Sequence, residues 1–366
     1  MDVFRKLCFL LTSVLFLFSC SHKKPEVTRA YYYWRTDDAT HDERKFLKHS
    51  GIRKVYAHLM DIDWSNVYGP IPVANHELVY MNREFTIYDT FPVQMVPVVF
   101  ITNKTFERID SAAEMETLAT RVVRRCLPAY DAIDRSYESR NYLSYSSLPV
   151  SPKEIQIDCD WTEKTRSKYF AFLKKVKSLL PADSIKLSAT IRLHQYKYPN
   201  KTGVPPVDRG MLMIYNISDP KKYGTDNSIF EEKKAAAYFT SNKKYPLPLD
   251  MALPAWSWCI IYRNKQFYQV ENELNEQELK TLSFLKPRGN HFYQVTQDTV
   301  FRDLFLRPGD EIKAESIDEL SLRAAAKLAR KAANADAYTV SLFELSEQEI
   351  QRYNNETLLE VYSSFR

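Results

Sequence analysis

Two aspartates stand one residue apart in the stretch Ile-Gln-Ile-Asp-Cys-Asp-Trp-Thr-Glu, residues 155–163. The apolar residues alternate with the polar ones, the period of a β-strand, whose successive side chains point to opposite sides. Gln156, Asp158, Asp160 and Thr162 therefore share one side, and Ile155, Ile157, Cys159 and Trp161 the other. Buried charge is costly unless it is paired, so the polar side is expected to face a polar site. The next strand-like segment, 185–193, repeats the pattern: Ser188, Thr190, Arg192 and His194 fall on one side, Leu187, Ala189, Ile191 and Leu193 on the other. Arg192 is thereby placed to pair with an aspartate next door. In 210–218, Met211, Met213 and Tyr215 share a side. Carboxylates beside a tyrosine and an arginine suit acid–base work or the grip of a polar ligand. The alternative is an Asp–Arg network that only holds the interior, although such buried ionic networks contribute weakly to stability.

The elements that must position these residues alternate along the chain. Strand-like segments at 30–36, 53–60, 93–102, 154–162, 185–193, 210–218, 249–258 and 336–345 are separated by helical spacing at 42–51, 111–127, 166–181, 228–240 and 318–335, and a closing helix follows Ser346. Eight strands interleaved with helices predict a closed α/β (β/α)8 TIM barrel, with an open doubly wound sheet as the runner-up. Residues 61–92 and 264–317 directly follow strands, so both are placed on the carboxyl face, where barrels build their sites. The second of these, with hairpin-like strands around Pro308-Gly309, is expected to be an α+β insertion between the last two strands. Residues 129–153 precede a strand and belong to the opposite face. The barrel domain is expected over 30–366.

Composition narrows the classes. Only 7 Gly occur in 366 residues, and no P-loop or GxGxxG pattern is present. The net charge is +5 with basic residues scattered along the sequence, which gives nucleic-acid binding little support. Hydrophobic content of 45% allows a large core. No nucleophile elbow occurs, and His58 and His194 stand apart, so neither a metal site nor a cofactor is expected. Arg5 and Lys6 precede an apolar run ending in Leu-Phe-Ser-Cys, the layout of a secretory signal over residues 1–19. The run resembles the bacterial lipobox, which would lipidate Cys20 and leave 20–29 as a tether. The anticipated location is the bacterial cell envelope, at the outer membrane, with the lipid as the sole membrane contact. Cys126, Cys159 and Cys259 lack metal-type spacing and read as buried thiols, although one pair could be oxidised outside the cytoplasm.

The 155–163 stretch resembles the fourth-strand signature of family 18 glycoside hydrolases, the chitinase-like barrels, with Asp158, Asp160 and Trp161 in register. Met-Ile-Tyr-Asn at 213–216 resembles that family's sixth-strand motif, and Asp-Met-Ala-Leu-Pro-Ala-Trp-Ser-Trp at 250–258 its seventh. A closer likeness is to a bacterial family of unknown function that reads apolar-Gln-apolar-Asp-apolar-Asp, then a helix, then Leu-Ser-apolar-Thr. The chitinase-like resemblance implies a carboxyl-face glycan site in which Asp158, Asp160 and Tyr215 are the catalytic candidates. It also implies a general acid at the strand end, tuned by an aspartate, with the substrate's N-acetyl group as nucleophile. Here Thr162 occupies the acid position, and a hydroxyl cannot serve as that acid near neutral pH.

Three readings follow. In the first, the barrel binds a glycan without cleaving it: Arg192, Asn216 and Thr162 contact the ligand and Trp34, Trp256 and Trp258 stack on sugar rings, unless these tryptophans are core. In the second, the acid has moved to Asp160, Glu163 or Glu344. In the third, a non-catalytic envelope scaffold binds protein partners through its long loops.

Overall fold

The computed structural model of the chain describes residues 24–35, 37, 39–75, 93–127, 152–181, 184–240, 243–272 and 274–365. The signal segment, Cys20 and most of 129–153 lie outside the described residues. In chain order the first half comprises β1 (Glu26–Tyr33), α1 (His41–His49), β2 (Lys54–Ser65), β3 (Gly69–Asn75), β4 (Gln94–Ile101), α2 (Asn103–Arg108), α3 (Ala112–Cys126), β5 (Glu154–Asp158) and α4 (Arg166–Leu179). Then come β6 (Lys186–Arg192), α5 (Leu193–Lys197), α6 (Pro199–Thr202), β7 (Arg209–Met213), α7 (Glu232–Ala236) and β8 (Leu249–Pro254). Parallel pairing runs β1-β16-β8-β7-β6-β5-β4-β2, with β16 at Ala337–Phe343, and the β1–β2 ladder closes the ring. The fold is a closed (β/α)8 TIM barrel, as the interleaving of eight strands predicts.

Local chemistry explains the helix starts. Thr40 and Glu43 form a capping box on α1, and Ser111 and Glu114 another on α3, so backbone N–H groups without intrahelical partners find oxygens. Helix α9 (Glu319–Ala332) is capped by Asp318 and buries Leu322, Ala325, Ala326 and Ala329, a stripe at helical spacing. Small residues there let the helix lie close to β8.

Several boundaries differ from expectation. Strand β1 begins at Glu26, so ordered barrel reaches into the segment expected to be tether. Residues 61–75 are not loop: β2 runs on to Ser65 and pairs antiparallel with β3. Strand β5 ends at Asp158, and only 232–236 of the expected 228–240 helix forms. The insertion starts at Ser257 rather than 264. It contains β9 (Ser257–Arg263), β10 (Gln266–Glu271), α8 (Glu276–Leu279), β11 (Leu285–Gly289), β12 (Phe292–Val295), β13 (Thr299–Phe301), β14 (Leu304–Leu306) and β15 (Glu311–Ser316). Five of these strands form an antiparallel sheet, β10-β9-β15-β12-β11, with its own apolar cluster of Cys259, Ile261, Tyr293 and Ile312. The chain closes with α10 (Glu347–Arg352) and α11 (Asn355–Ser363), the latter unanticipated. Cys126, Cys159 and Cys259 are buried free thiols. Among the described residues no helix is long and apolar enough to cross a membrane.

Candidate functional site

The barrel interior carries charge in two tiers. In the lower tier Lys54 Nζ donates to Glu154 Oε2 at 2.5 Å and Ser188 Oγ to Glu154 Oε1 at 2.6 Å. Tyr32 Oη donates to Gln156 Oε1 at 2.5 Å. Arg209 forks onto Asp250 at 2.8 and 3.1 Å, and Asp250 also accepts the Thr339 N–H at 2.6 Å. These bonds tie β1, β2, β5, β6, β7, β8 and β16 together across the lumen.

The upper tier opens to the carboxyl mouth. Asp158 is buried at the last position of β5 and accepts from Thr190 Oγ1 at 2.6 Å. Burial pushes its carboxyl up to about 6; Arg192 and the Thr190 hydrogen bond pull the other way, while Asp160 and Asp61 push with the burial. Asp160 lies just beyond the strand with its side chain 49% exposed, gripped by the Arg192 fork through Nε and through Nη2, the latter at 2.8 Å. The rim beneath is braced: Arg192 N–H donates to Gln195 Oε1 at 2.7 Å, Gln195 Nε2 to the Trp161 carbonyl at 3.0 Å, and Trp161 Nε1 to the Thr202 carbonyl at 2.9 Å. The Trp161 ring stacks on Tyr169 of α4.

Tyr215 follows β7 and stands edge-on to Trp256 at 5.0 Å and tilted against Phe343 at 5.3 Å. Its hydroxyl is buried and has no hydrogen-bond partner among the described residues. Burial holds that hydroxyl well above the usual tyrosine range; Arg192 opposes this, and Asp158, Asp160 and Glu344 add to it. Asp158, Asp160, Arg192 and Tyr215 thus share one electrostatic neighbourhood. Trp34 stacks on His58 at 4.5 Å and continues the aromatic wall to Phe343 at 5.8 Å.

Other candidates lie elsewhere. Trp256 is only 5% exposed, which corrects the expectation that it stands free as a stacking platform; it is a wall of the Tyr215 cluster. Trp258 is not on the seventh barrel strand but on β9, and its Nε1 is tied to Glu315 at 2.9 Å. Asn216 takes a left-handed φ of 54°, which asparagine tolerates, and its N–H donates to the Ile229 carbonyl at 2.8 Å. Thr162 is exposed; its N–H donates to Thr165 Oγ1 at 2.9 Å, and that hydroxyl donates to Asn103 at 2.6 Å. Glu163 sits exposed in the turn leading to α4. Glu344 is pushed to about 7 by burial; Arg35 opposes, and Glu349, Asp37 and Glu43 reinforce. Those charges belong to α1, α10 and the segment after β1, and Glu344 itself acts on Tyr215 from that side.

Sequence reasoning missed Asp61. A β-bulge in β2 pairs His58 with Val98 but Met60 with Val99, so alternation skips a residue. Asp61 then lies level with Phe100, which pairs with Asp158, and its carboxylate meets His58 Nε2 at 2.6 Å. Nothing in the local sequence marks the extra residue.

No family model matches the chain, and no curated relative does. Its closed (β/α)8 barrel is similar to those of solved chitinases. A chitinase from Bacteroides thetaiotaomicron superposes with a TM-score of 0.52 at 10% identity, covering 92% of this chain and 96% of that one. A chitinase from Chromobacterium violaceum gives 0.51 at 12%, covering 92% and 98%. Catalytic domain 2 of an Ostrinia furnacalis Group II chitinase, solved with penta-N-acetylchitooctaose, gives 0.50 at 12%, covering 93% and 96%. At such identities the likeness establishes the fold alone.

Proposed function

We propose that this protein is a lipid-anchored component of the bacterial envelope that binds a glycan at the carboxyl mouth of its barrel without cleaving it. The observation that carries the reading is the mouth itself. A buried Tyr215 hydroxyl without a partner among the described residues stands beside Asp158, the Asp160–Arg192 pair and an aromatic wall. Such a hydroxyl is costly to bury unless a ligand or a water completes it. Amphipathic aromatic surface next to charged hydrogen-bonding groups suits a sugar ring, which has apolar faces and hydroxylated edges. The oligosaccharide held by the Ostrinia furnacalis domain on the same fold supports this choice of ligand.

Binding is favoured over cleavage because the acid is missing where it is needed. Thr162 stands at the strand-end acid position. Asp160 is occupied by the Arg192 fork, and Glu163 belongs to an exposed turn. One observation favours the second reading: Glu344, held at about 7, carries its proton in part at neutral pH and could act as an acid. Titrating the protein against neutral and acidic glycans while assaying for new reducing ends tests both readings. Binding without release, weakened in Asp160→Asn by about tenfold or more, is the expected result. Release of reducing ends that stops in Glu344→Gln would establish the hydrolase instead. Absence of binding to every glycan would remove both.

A further inference from the structure

Several exposed cations on this protein meet its own carboxylates. Lys168 pairs with Asp110 at 2.7 Å, Lys175 with Glu116 at 2.6 Å, Lys177 with Asp208 at 2.6 Å and Lys234 with Asp226 at 2.6 Å. The rim beside Arg192 differs. Helix α5 begins directly after Arg192, and α6 follows it, so both lie at the edge of the mouth. Between them stands Tyr198, 38% exposed, with Lys197 Nζ 5.3 Å and Lys201 Nζ 5.9 Å from its ring centre. The His194 ring lies 5.1 Å away. Arg166, four residues beyond Thr162, donates to the Lys201 carbonyl at 2.8 Å. None of His194, Lys197, Lys201 and Arg166 meets a carboxylate within ion-pair distance among the described residues. An aromatic face flanked by two ammonium groups thus follows directly on the strand that carries Arg192, with no carboxylate at ion-pair distance among the described residues.

We propose that this patch receives the anionic groups of an acidic glycan, one whose chain enters the mouth and carries carboxylates or sulfates. A sugar ring lies on Tyr198 while its charged substituent meets Lys197 and Lys201, each kept over the ring by cation–π attraction. The inference rests on the reading of the mouth as a glycan site and adds the charge class of the glycan. The neighbouring mouth argues against a nucleic acid: Asp61, Asp158 and Asp160 would repel a continuous phosphate backbone, whereas a saccharide can place neutral rings there and its charges on the rim.

The test uses the full chain and calorimetric titration with three saccharides of equal length: a hyaluronan oligosaccharide carrying carboxylates, a heparin oligosaccharide carrying sulfates and a neutral chitooligosaccharide. A single-stranded oligonucleotide is the fourth arm. At least one acidic saccharide is expected to bind about tenfold more tightly than the neutral one, the scale of two exposed ion pairs, with the advantage shrinking as salt rises. The preference should vanish in Lys197→Gln/Lys201→Gln and persist in Lys327→Gln/Lys331→Gln, which removes the same charge from α9. Tyr198→Ala should weaken every saccharide. Equal affinity for neutral and acidic saccharides, or an unchanged preference in the Lys197/Lys201 variant, overturns the acidic-glycan inference and leaves the mouth reading standing. Tighter binding of the oligonucleotide overturns the inference in favour of a nucleic acid. No binding by any saccharide overturns both.

Discussion

Replacing Asp158 by Asn should make the protein more stable at neutral pH, and by an amount that depends on pH in a defined way. Asp158 is 5% exposed, and burial raises its carboxyl from 3.8 to about 6. In the unfolded chain it returns to about 3.9. Below about pH 4 both states hold the proton and the site costs nothing; as pH rises through about 6 the folded protein must bury the charge. Each unit of displacement is worth about 1.4 kcal/mol, so the charged carboxylate costs the fold about 3 kcal/mol above pH 7. Asparagine keeps the shape and the oxygen that accepts from Thr190, and Arg192 keeps Asp160 as its partner. Urea unfolding of both proteins across this range measures the difference directly, since all other titrating groups are common to the pair. The Asn variant should gain on the wild type between about pH 4 and pH 7, by about 3 kcal/mol in total. A difference that stays flat with pH, or that turns in favour of the wild type as pH rises, refutes the claim that burial dominates over Arg192 at Asp158.

Tyr215→Phe removes a buried hydroxyl with no partner among the described residues, so stability should rise by about 1 kcal/mol while glycan affinity falls; a loss of stability with affinity intact would show that the hydroxyl works for the fold. Thr162→Glu supplies a carboxyl at the position that the chitinase-like resemblance assigns to the acid, and on the proposed reading the variant is expected to release reducing ends from an N-acetylated oligosaccharide that the wild type binds without cleaving. If the oligosaccharide stays bound and intact, Thr162 does not occupy the acid position. Cys20→Ala should abolish incorporation of labelled fatty acid and leave the protein unprocessed or soluble; label persisting in the variant refutes the anchor.

The barrel was legible because its strands repeat a strong signal. In 154–158 and 186–192 apolar and polar residues alternate cleanly, and the structure turns Gln156, Asp158, Ser188 and Thr190 into the lumen as parity requires. The Asp160–Arg192 contact followed from the same alternation on neighbouring strands. Strand β3 was illegible because Pro70 and Pro72 argue against a strand; β3 is an edge, where a missing N–H is tolerated. The start of the insertion was hidden by continuity. Residues 249–263 form one nearly unbroken apolar run, and only the tertiary pairing of β8 with β16 and of β9 with β15 separates them. The exposure of Trp256 was misjudged because composition says nothing of what covers a ring.

The bulge in β2 gives that strand a spare residue. His58 and Asp61, three apart, would lie on opposite faces of a regular strand, yet here they meet at 2.6 Å. Losing one residue at Leu59 would straighten the strand and leave Asp61 and Asp63 in phase with the mouth. Gaining one would turn both outward and bring Ile62 and Trp64 in. Length variation at this point is therefore directional: relatives one residue shorter between the start of β2 and Asp61 can retain the same mouth, whereas relatives one residue longer must rebuild it.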